Sequence, residues 1–249
     1  MTRSLIAFVR LIRLVFHVLS GLWLVALHFP SQSSAQKSAQ IKAWAQSLLQ
    51  LIAIDVEVRG VSPQQGPMLL VANHISWLDI VLLLATSPCR FVAKSEIAAW
   101  PLLGQLTRAA GTLFIARDSP RDALRVVHHM AQELQAGALL AVFPEGTTSN
   151  GLQLLPFHAN LLQAAISAHA PVQPVALRFV DTHSGKPSLA PCYIDDDSLL
   201  DSVWRTLRAP GLRASVQFGE VQTADGRDRR AWAADLRHTI GQTLGYPPD

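Results

Sequence analysis

The most restrictive feature of this chain is a pair of short, wholly apolar runs, Met68-Leu69-Leu70-Val71-Ala72 and Ala138-Leu139-Leu140-Ala141-Val142-Phe143. A strand with one wet face alternates polar and apolar residues, whereas a strand without alternation is covered on both faces. Helical texture surrounds these runs, at Leu78–Ala85, Trp100–Ala110, Arg121–Gln135 and Phe157–Ala168. Ser119-Pro120 opens the third of these helices and Gly137 stops it. Asp55–Gly60, Arg90–Ala93, Gly111–Ala116, Val172–Val180 and Ala214–Val221 read as further strands, and Arg230–Leu244 as a closing helix. Strands alternating with helices predict an α/β fold, a mixed, largely parallel sheet flanked by helices. Pro174, inside Val172–Val180, predicts an edge or a bulge at that point.

The first 54 residues differ in kind from the rest. They hold Arg3, Arg10, Arg13, Lys37 and Lys42 and no acidic residue, a charge of +5, so the remainder carries 3 − 5 = −2. A basic, apolar leader suits an anionic membrane surface, and no basic-aromatic stripe in the body argues for nucleic acid. Leu14–Phe29 contains no charged residue. As a helix it spans about 24 Å, short of a ~30 Å hydrocarbon core unless it extends back through Arg10 and Arg13. Three preceding arginines place the N-terminus on the cytoplasmic side if the run spans, and it can instead dip into one leaflet. A cleaved signal peptide competes, with Ser33-x-Ala35 as its site. The arginines inside the apolar stretch and the segment that follows speak against it. Ile41, Trp44, Ala45, Leu48, Leu49 and Ile52 recur at helical spacing with Lys37, Gln40, Lys42 and Gln46 between, an amphipathic helix for the interface or for core packing. The expected organisation is a membrane anchor and amphipathic helix over residues 1–54 and an α/β domain over 55–249. Cys89 and Cys192 have no metal-ligand spacing and read as unpaired thiols. Asp195-Asp196-Asp197 reads as a solvated turn or helix cap rather than a metal site.

Four segments carry the chemistry. In Asn73-His74-Ile75-Ser76-Trp77-Leu78-Asp79, a buried strand hands over to a helix, where functional side chains collect. Histidine is the side-chain type suited to proton transfer near neutrality, and Asp79 is a partner that can fix the tautomer of His74. Five residues on an ideal helix put two side chains about 140° apart, so the pair meets only if His74 lies in the turn before the helix. In Gly111-Thr112-Leu113-Phe114-Ile115-Ala116-Arg117, a strand ends on a guanidinium suited to phosphate, or to an ion pair with Asp118 or Asp122. In Phe143-Pro144-Glu145-Gly146-Thr147-Thr148-Ser149-Asn150-Gly151, a tight loop offers backbone N–H groups and hydroxyls to polyol or phosphate oxygens. Glu145 there can accept from a substrate hydroxyl or pair with Arg117. The fourth segment, around Pro174, says little alone.

In this order the four segments resemble the phospholipid/glycerol acyltransferase family, the lysophospholipid acyltransferases, over roughly residues 68–179. Asn73, His74 and Asp79 match the family's Asn-His-x4-Asp. Gly111, Phe114, Ile115 and Arg117 match Gly-x-x-Phe-Ile-x-Arg. Phe143, Pro144, Glu145, Gly146, Thr147 and Ser149 match Phe-Pro-Glu-Gly-Thr-Arg-Ser, and Pro174 matches a proline in an apolar strand. The resemblance implies catalysis by the first block, acceptor binding by the second and third, and an N-terminal membrane-embedded helical pair. On that basis His74 and Asp79 are the catalytic residues, and Asn73, Lys94, Arg117, Glu145, Gly146, Thr147, Thr148 and Ser149 bind substrate. One departure stands out. Members that acylate lysophosphatidic acid carry Arg where this chain has Thr148, and the run Thr147–Gly151 followed by Leu155-Pro156-Phe157 looks more like members acting on lyso-ornithine lipid or other lysolipids.

The expected reaction is direct transfer from acyl-CoA or acyl-carrier protein to a lysolipid hydroxyl, with His74 as general base and no metal or other cofactor. The acceptor expected first is 1-acyl-sn-glycerol-3-phosphate. The expected place is the cytoplasmic face of the bacterial inner membrane. A lipid or thioester hydrolase is the competing reading, weakened by the lack of a Gly-x-Ser-x-Gly elbow. A non-catalytic lipid-binding module is the third.

Overall fold

The computed structural model describes residues 2–115, 120–194 and 196–247. Helix α1 (Thr2–Leu27) and helix α2 (Ser34–Leu51) come first, followed by strands β1 (Ile54–Arg59) and β2 (Met68–Ala72). Helix α3 (Leu78–Thr86), β3 (Arg90–Lys94), α4 (Leu103–Ala109), β4 (Leu113–Ile115), α5 (Pro120–Gln135) and β5 (Leu139–Val142) continue the alternation. Helix α6 (Leu162–Ala168), β6 (Val172–Asp181), α7 (Leu199–Arg208), β7 (Leu212–Phe218) and α8 (Arg229–Leu244) complete it.

The seven strands form one sheet in the order β1-β7-β6-β2-β5-β3-β4. β6, β2, β5, β3 and β4 are mutually parallel, while β7 runs antiparallel to β6 and β1 is parallel to β7. The two wholly apolar runs are neighbours at the centre, with Leu70 opposite Ala141, and every residue of both strands is buried. The mixed, largely parallel sheet expected from the sequence is therefore what the chain forms. The chain leaves β2 toward β3 on one side and leaves β5 toward β6 on the other. Adjacent strands whose connections depart in opposite directions open a crevice at their C-terminal ends.

Residues alternate between two cores, as strand geometry requires. Leu70 and Ala72 point into a core shared with α2, α3 and β7, and Leu69 and Val71 into one shared with α5, α6 and α8. The first core runs across the expected boundary at residue 54. Ala45, Leu48, Leu49 and Ile52 of the N-terminal segment are buried in it, and so are Ala7 and Leu14 of α1.

Helix α1 is longer than its uncharged run, because it takes in Arg10 and Arg13. Arg10 donates to the Leu207 carbonyl of α7 at 3.0 Å, so this guanidinium is spent on the body of the protein. Ala7, Arg10, Leu14, His17 and Gly21 line one helical seam. His17 and Trp44 stack with centroids 4.8 Å apart and exchange side-chain to carbonyl hydrogen bonds. A Cβ on Gly21 would fall 2.7 Å from the Trp44 indole nitrogen, so glycine lets the helices close. Much of the rest of α1 is apolar and exposed, including Leu5, Phe8, Phe16, Trp23 and Leu27. By length and composition Arg3–Leu27 can cross a membrane.

Three elements narrow or depart from the expectations. Pro174 lies in an interior strand, opposite Val71 of β2, and not at an edge. The β6–β7 register changes by one between Val175↔Phe218 and Val172↔Gln222, leaving an extra residue on the β7 side. That bulge removes the need for a ladder N–H at Pro174, which is the alternative its position allowed. The helix expected over Phe157–Ala168 is shorter, because residues 151–158 form bends and irregular backbone and only a 3-10 turn (Ala159–Leu161) leads into α6. Helix α7 was not anticipated, although Ser198 caps it by accepting from Asp201 N and two arginines lie in its last turn.

Candidate active site

The turn from β2 to α3 satisfies the geometric condition set by the His-x4-Asp spacing. His74 lies in the irregular stretch before α3, and Asp79 in the first turn of that helix. Asp79 is fully buried, and its Oδ2 accepts from His74 Nδ1 at 2.8 Å, Ile75 N at 2.6 Å and Ser76 N at 2.8 Å. A carboxylate only accepts, so Nδ1 carries the hydrogen and Nε2 presents its lone pair. Nε2 makes no hydrogen bond within the described residues, and the ring is partly exposed.

Phe143, at the end of β5, lies flat beneath that ring, with centroids 3.9 Å apart and planes 10° apart. Phe91 of β3 continues the stack. Three adjacent parallel strands thus contribute to a column of rings that fixes the imidazole plane. Phe143 belongs to the third sequence motif without a role assigned to it there, and its aromatic character at a strand end was the available signal.

Glu145 is buried and spans two segments. Its Oε1 accepts from His74 N at 2.7 Å and its Oε2 from Leu155 N at 2.9 Å. Burial pushes its carboxyl above the ordinary value, against the two N–H groups that favour the ionised form. Both oxygens are used inside the protein. Ser149 donates to the His74 carbonyl from its N at 2.9 Å and from its Oγ at 3.2 Å. Asn73, buried, donates to the Leu177 carbonyl at 3.0 Å and accepts from Leu177 N at 2.7 Å. Its side chain thus continues the β2–β6 ladder one step past the strand. Asn73, Glu145 and Ser149, expected to bind substrate, are here bonded to backbone around His74.

The loop after β5 turns at Gly146, with φ of 73°, and again at Gly151, with φ of 68°. A side chain at 151 would collide with Ile75, so this loop and the His74 turn pack directly together. The segment before α7 closes over both. Ser76 Oγ donates to Pro191 O at 2.5 Å, Tyr193 N donates to Ile75 O at 3.2 Å, and Thr148 Oγ donates to Tyr193 O. Helix α8 braces the far end, with Arg237 donating to Leu154 O and Leu155 O and Tyr246 to Gly151 O. None of this bracing was read from the sequence. Cys192 lies in the same segment. Burial, aided by the Asp79 charge, pushes its thiol up to about 11, the wrong direction for a nucleophile. A cleft of about 840 Å³ opens behind the segment, between Arg3 of α1 and Arg208 of α7, and neither member of the His74–Asp79 pair lines it.

Lys94 ends β3 and Thr147 lies on the loop after β5; both are exposed with no hydrogen bond or ion pair within the described residues. Strands β2, β5, β3 and β4 stand side by side and parallel, so His74, Thr147, Lys94 and the end of β4 share one edge of the sheet. Arg117 and the Asp118 weighed as its partner lie outside the described residues. So does Asp195; Asp197 of the same triplet accepts from Ile194 N and pairs with Arg205, a local turn and ion pair.

A histidine with a buried carboxylate behind it and an open nitrogen in front, on the C-terminal edge of a mixed α/β sheet, defines a class of proton-transfer site. The Acyltransferase family model matches residues 53–178, which contain all of β2 to β5 and most of β6. A lyso-ornithine lipid O-acyltransferase of Pseudomonas aeruginosa is 40% identical over 201 residues, 81% of this chain and 76% of that protein. A 1-acyl-sn-glycerol-3-phosphate acyltransferase of Neisseria gonorrhoeae is 38% identical over 215 residues, 86% of this chain and 84% of that protein. The crystal structure of the 1-acyl-sn-glycerophosphate (LPA) acyltransferase PlsC from Thermotoga maritima shares the fold. Its TM-score is 0.69 at 21% identity, with 100% of this chain and 97% of that one covered. The chain belongs to the Acyltransferase family, and it is an acyltransferase.

Proposed function

We propose that this enzyme transfers a fatty acyl group from an acyl thioester to the free hydroxyl of a lysolipid, with His74 as general base and Asp79 as the group that orients it. One observation carries the reading: Nδ1 of His74 is committed to a buried carboxylate while Nε2 is open at the sheet edge. In the reaction, Nε2 takes the proton of the acceptor hydroxyl as its oxygen attacks the thioester carbonyl. The tetrahedral intermediate then expels the thiolate, and the imidazolium returns the proton to the leaving sulfur. Asp79 stabilises the imidazolium meanwhile. A thioester is already activated, so no covalent acyl-enzyme and no metal is invoked.

The donor in this proposal is acyl-CoA or acyl-carrier protein. The acceptor is 1-acyl-sn-glycerol-3-phosphate, whose phosphate would meet Lys94 at the end of β3 and Thr147 on the loop after β5, with Arg117 of the second sequence motif as the further cation. Thr148 favours lyso-ornithine lipid as the second reading, since a hydroxyl bound to Tyr193 O adds no cation for a phosphomonoester. Relatives named for both acceptors have similar identity to this chain. The enzyme would work from the cytoplasmic face of the bacterial inner membrane, with α1 and α2 as its membrane-associated pair.

The test is purified protein with labelled acyl donor and a panel containing both lysolipids, followed for diacyl product and free fatty acid. Diacyl product is expected, and His74→Ala is expected to lower kcat by about 10² to 10⁴. Free fatty acid as the sole product would establish the hydrolase reading instead. Near wild-type turnover by His74→Ala would remove His74 from the chemistry.

A further inference from the structure

Between β3 and α4 the chain makes a rigid, apolar point that the reaction does not use. A 3-10 turn (Ser95–Ala99) is followed by Trp100-Pro101-Leu102, all exposed, with Trp100 at 39% and Leu102 at 45%. Leu102 has φ of 62° and ψ of −56°, and Leu103 N donates to Pro101 O at 2.7 Å. This is a γ-turn of the rare hand, strained for any residue with a Cβ. Glycine would relieve it, yet the position holds a leucine, and the strain presents that leucine to solvent. The point is not a loose loop. Gly104 N donates to Trp100 O, Leu106 N to Leu102 O and Arg108 Nη2 to Ala98 O. A Cβ on Gly104 would fall 2.3 Å from Ala98 O, so the turn is folded tightly on itself.

Its position indicates the partner. Leu106, one helical turn beyond Leu102, lies against Gly21 of α1. The point therefore adjoins the half of α1 that exposes Leu19, Trp23 and Leu27. Tryptophan beside leucine and proline, continuous with an exposed apolar helix, suits the boundary between headgroups and acyl chains. We propose that Trp100-Pro101-Leu102 is a second membrane-insertion element, a wedge that enters the lipid surface beside α1. It follows β3 directly, so its insertion holds the edge bearing His74 and Lys94 against the bilayer. This inference rests on the membrane-associated reading of α1.

The experiment measures vesicle partition by co-sedimentation with phosphatidylcholine liposomes, where charge plays little part, using full-length protein. Leu102→Gly removes the apolar group and the strain together, so its Tm should be unchanged or raised while its partition falls by about fivefold. Leu102→Ala keeps the strained φ, so partition should fall similarly with no gain in Tm. Trp100→Ala should fall at least as far, and Val221→Ala, at an equally exposed residue outside the wedge, should not change. Unaltered partition in folded Leu102→Gly and Trp100→Ala overturns the wedge, as does an equal loss in Val221→Ala. A parallel assay separates this from the reaction itself. Leu102→Gly should lose turnover on vesicle-borne lysolipid but keep wild-type kcat on a short-chain, monomeric acceptor. Absence of transfer by the wild type on both would refute the lysolipid reading, and the partition result would still decide the wedge.

Discussion

Asp79 uses one oxygen for three hydrogen bonds, while its buried Oδ1 has no recorded partner among the described residues. Asparagine at 79 can place its oxygen where Oδ2 lies and its amide nitrogen where Oδ1 lies. The turn would survive, but the charge that stabilises an imidazolium would not. Asp79→Asn is therefore expected to leave Tm within a few degrees and to lower kcat by about 10² to 10⁴, read by thermal melting and initial rates. Asn73→Ala should show the opposite pattern. It strands a buried N–H and C=O of Leu177, a loss of about 2–4 kcal/mol in denaturant unfolding, while KM for the acceptor stays near wild type. Glu145 carries a pH signature. Its folded pKa lies above the ordinary 4.5, so the proton is held more tightly in the folded state. Its contribution to stability is then present below that ordinary value and is lost as pH rises through the raised one. Glu145→Gln should flatten this dependence in melting curves recorded from about pH 4 to neutrality. The identities of these residues were legible because their spacing is local. The partners of Asn73 and Glu145 were not, because Leu177 and Leu155 reach them only through the register of β6 and the path of the loop after β5.

At the scale of elements, the parallel strands were legible because burial on both faces leaves an unbroken apolar run. The segment over residues 188–197 was illegible for a physical reason. It grips the His74 turn and the loop after β5 with its own main chain, through Pro191 O and Tyr193 N and O, so no side-chain pattern of its own records the contact. Its charged anchor among the described residues is Arg205 of α7, which bonds Asp197 at 2.6 and 2.8 Å and Cys192 O at 2.7 Å. Arg205→Ala should loosen this segment and misplace Ile75 and Ser76, with kcat falling by about tenfold and Arg205→Lys restoring part of it. The acid limb gives a second readout. The Arg205 guanidinium holds the Asp197 carboxyl down to about 2, against an ordinary 3.8. That contribution is present above the ordinary value and lost as pH falls through the depressed one. Wild-type protein should therefore keep its folded fluorescence to lower pH than Arg205→Ala, and coincident acid transitions would show that the pair does not anchor the segment.

For the whole molecule, a helix long enough to cross a bilayer lies beside the α/β sheet and its covering helices. Helix α1 touches the body along most of its length, through Ala7 near its start, Arg10 on α7, Leu14 in the core and Gly21 against α2 and α4. A spanning helix would have to pull these contacts into hydrocarbon. It would also bury Arg13, and it would break the Arg10 bond to Leu207 O, where a buried charge already has its acceptor. Lying along the surface keeps all of them, and it sinks Phe8, Phe16 and Trp23 into one leaflet. The positive charge of the first 54 residues, Arg10 apart, then stays on the headgroup side without crossing the membrane. The expected arrangement places both ends of α1 on one side of the bilayer. Cysteines introduced at Leu5 and Leu27, both exposed, report on it directly, because Cys89 and Cys192 are buried and give little background. With full-length protein in inverted inner-membrane vesicles, an impermeant maleimide should label both positions from the outside without detergent. Labelling of only one of the two positions, with the other reached only after the membrane is opened, would mean that α1 crosses and leaves the seam with α7 behind.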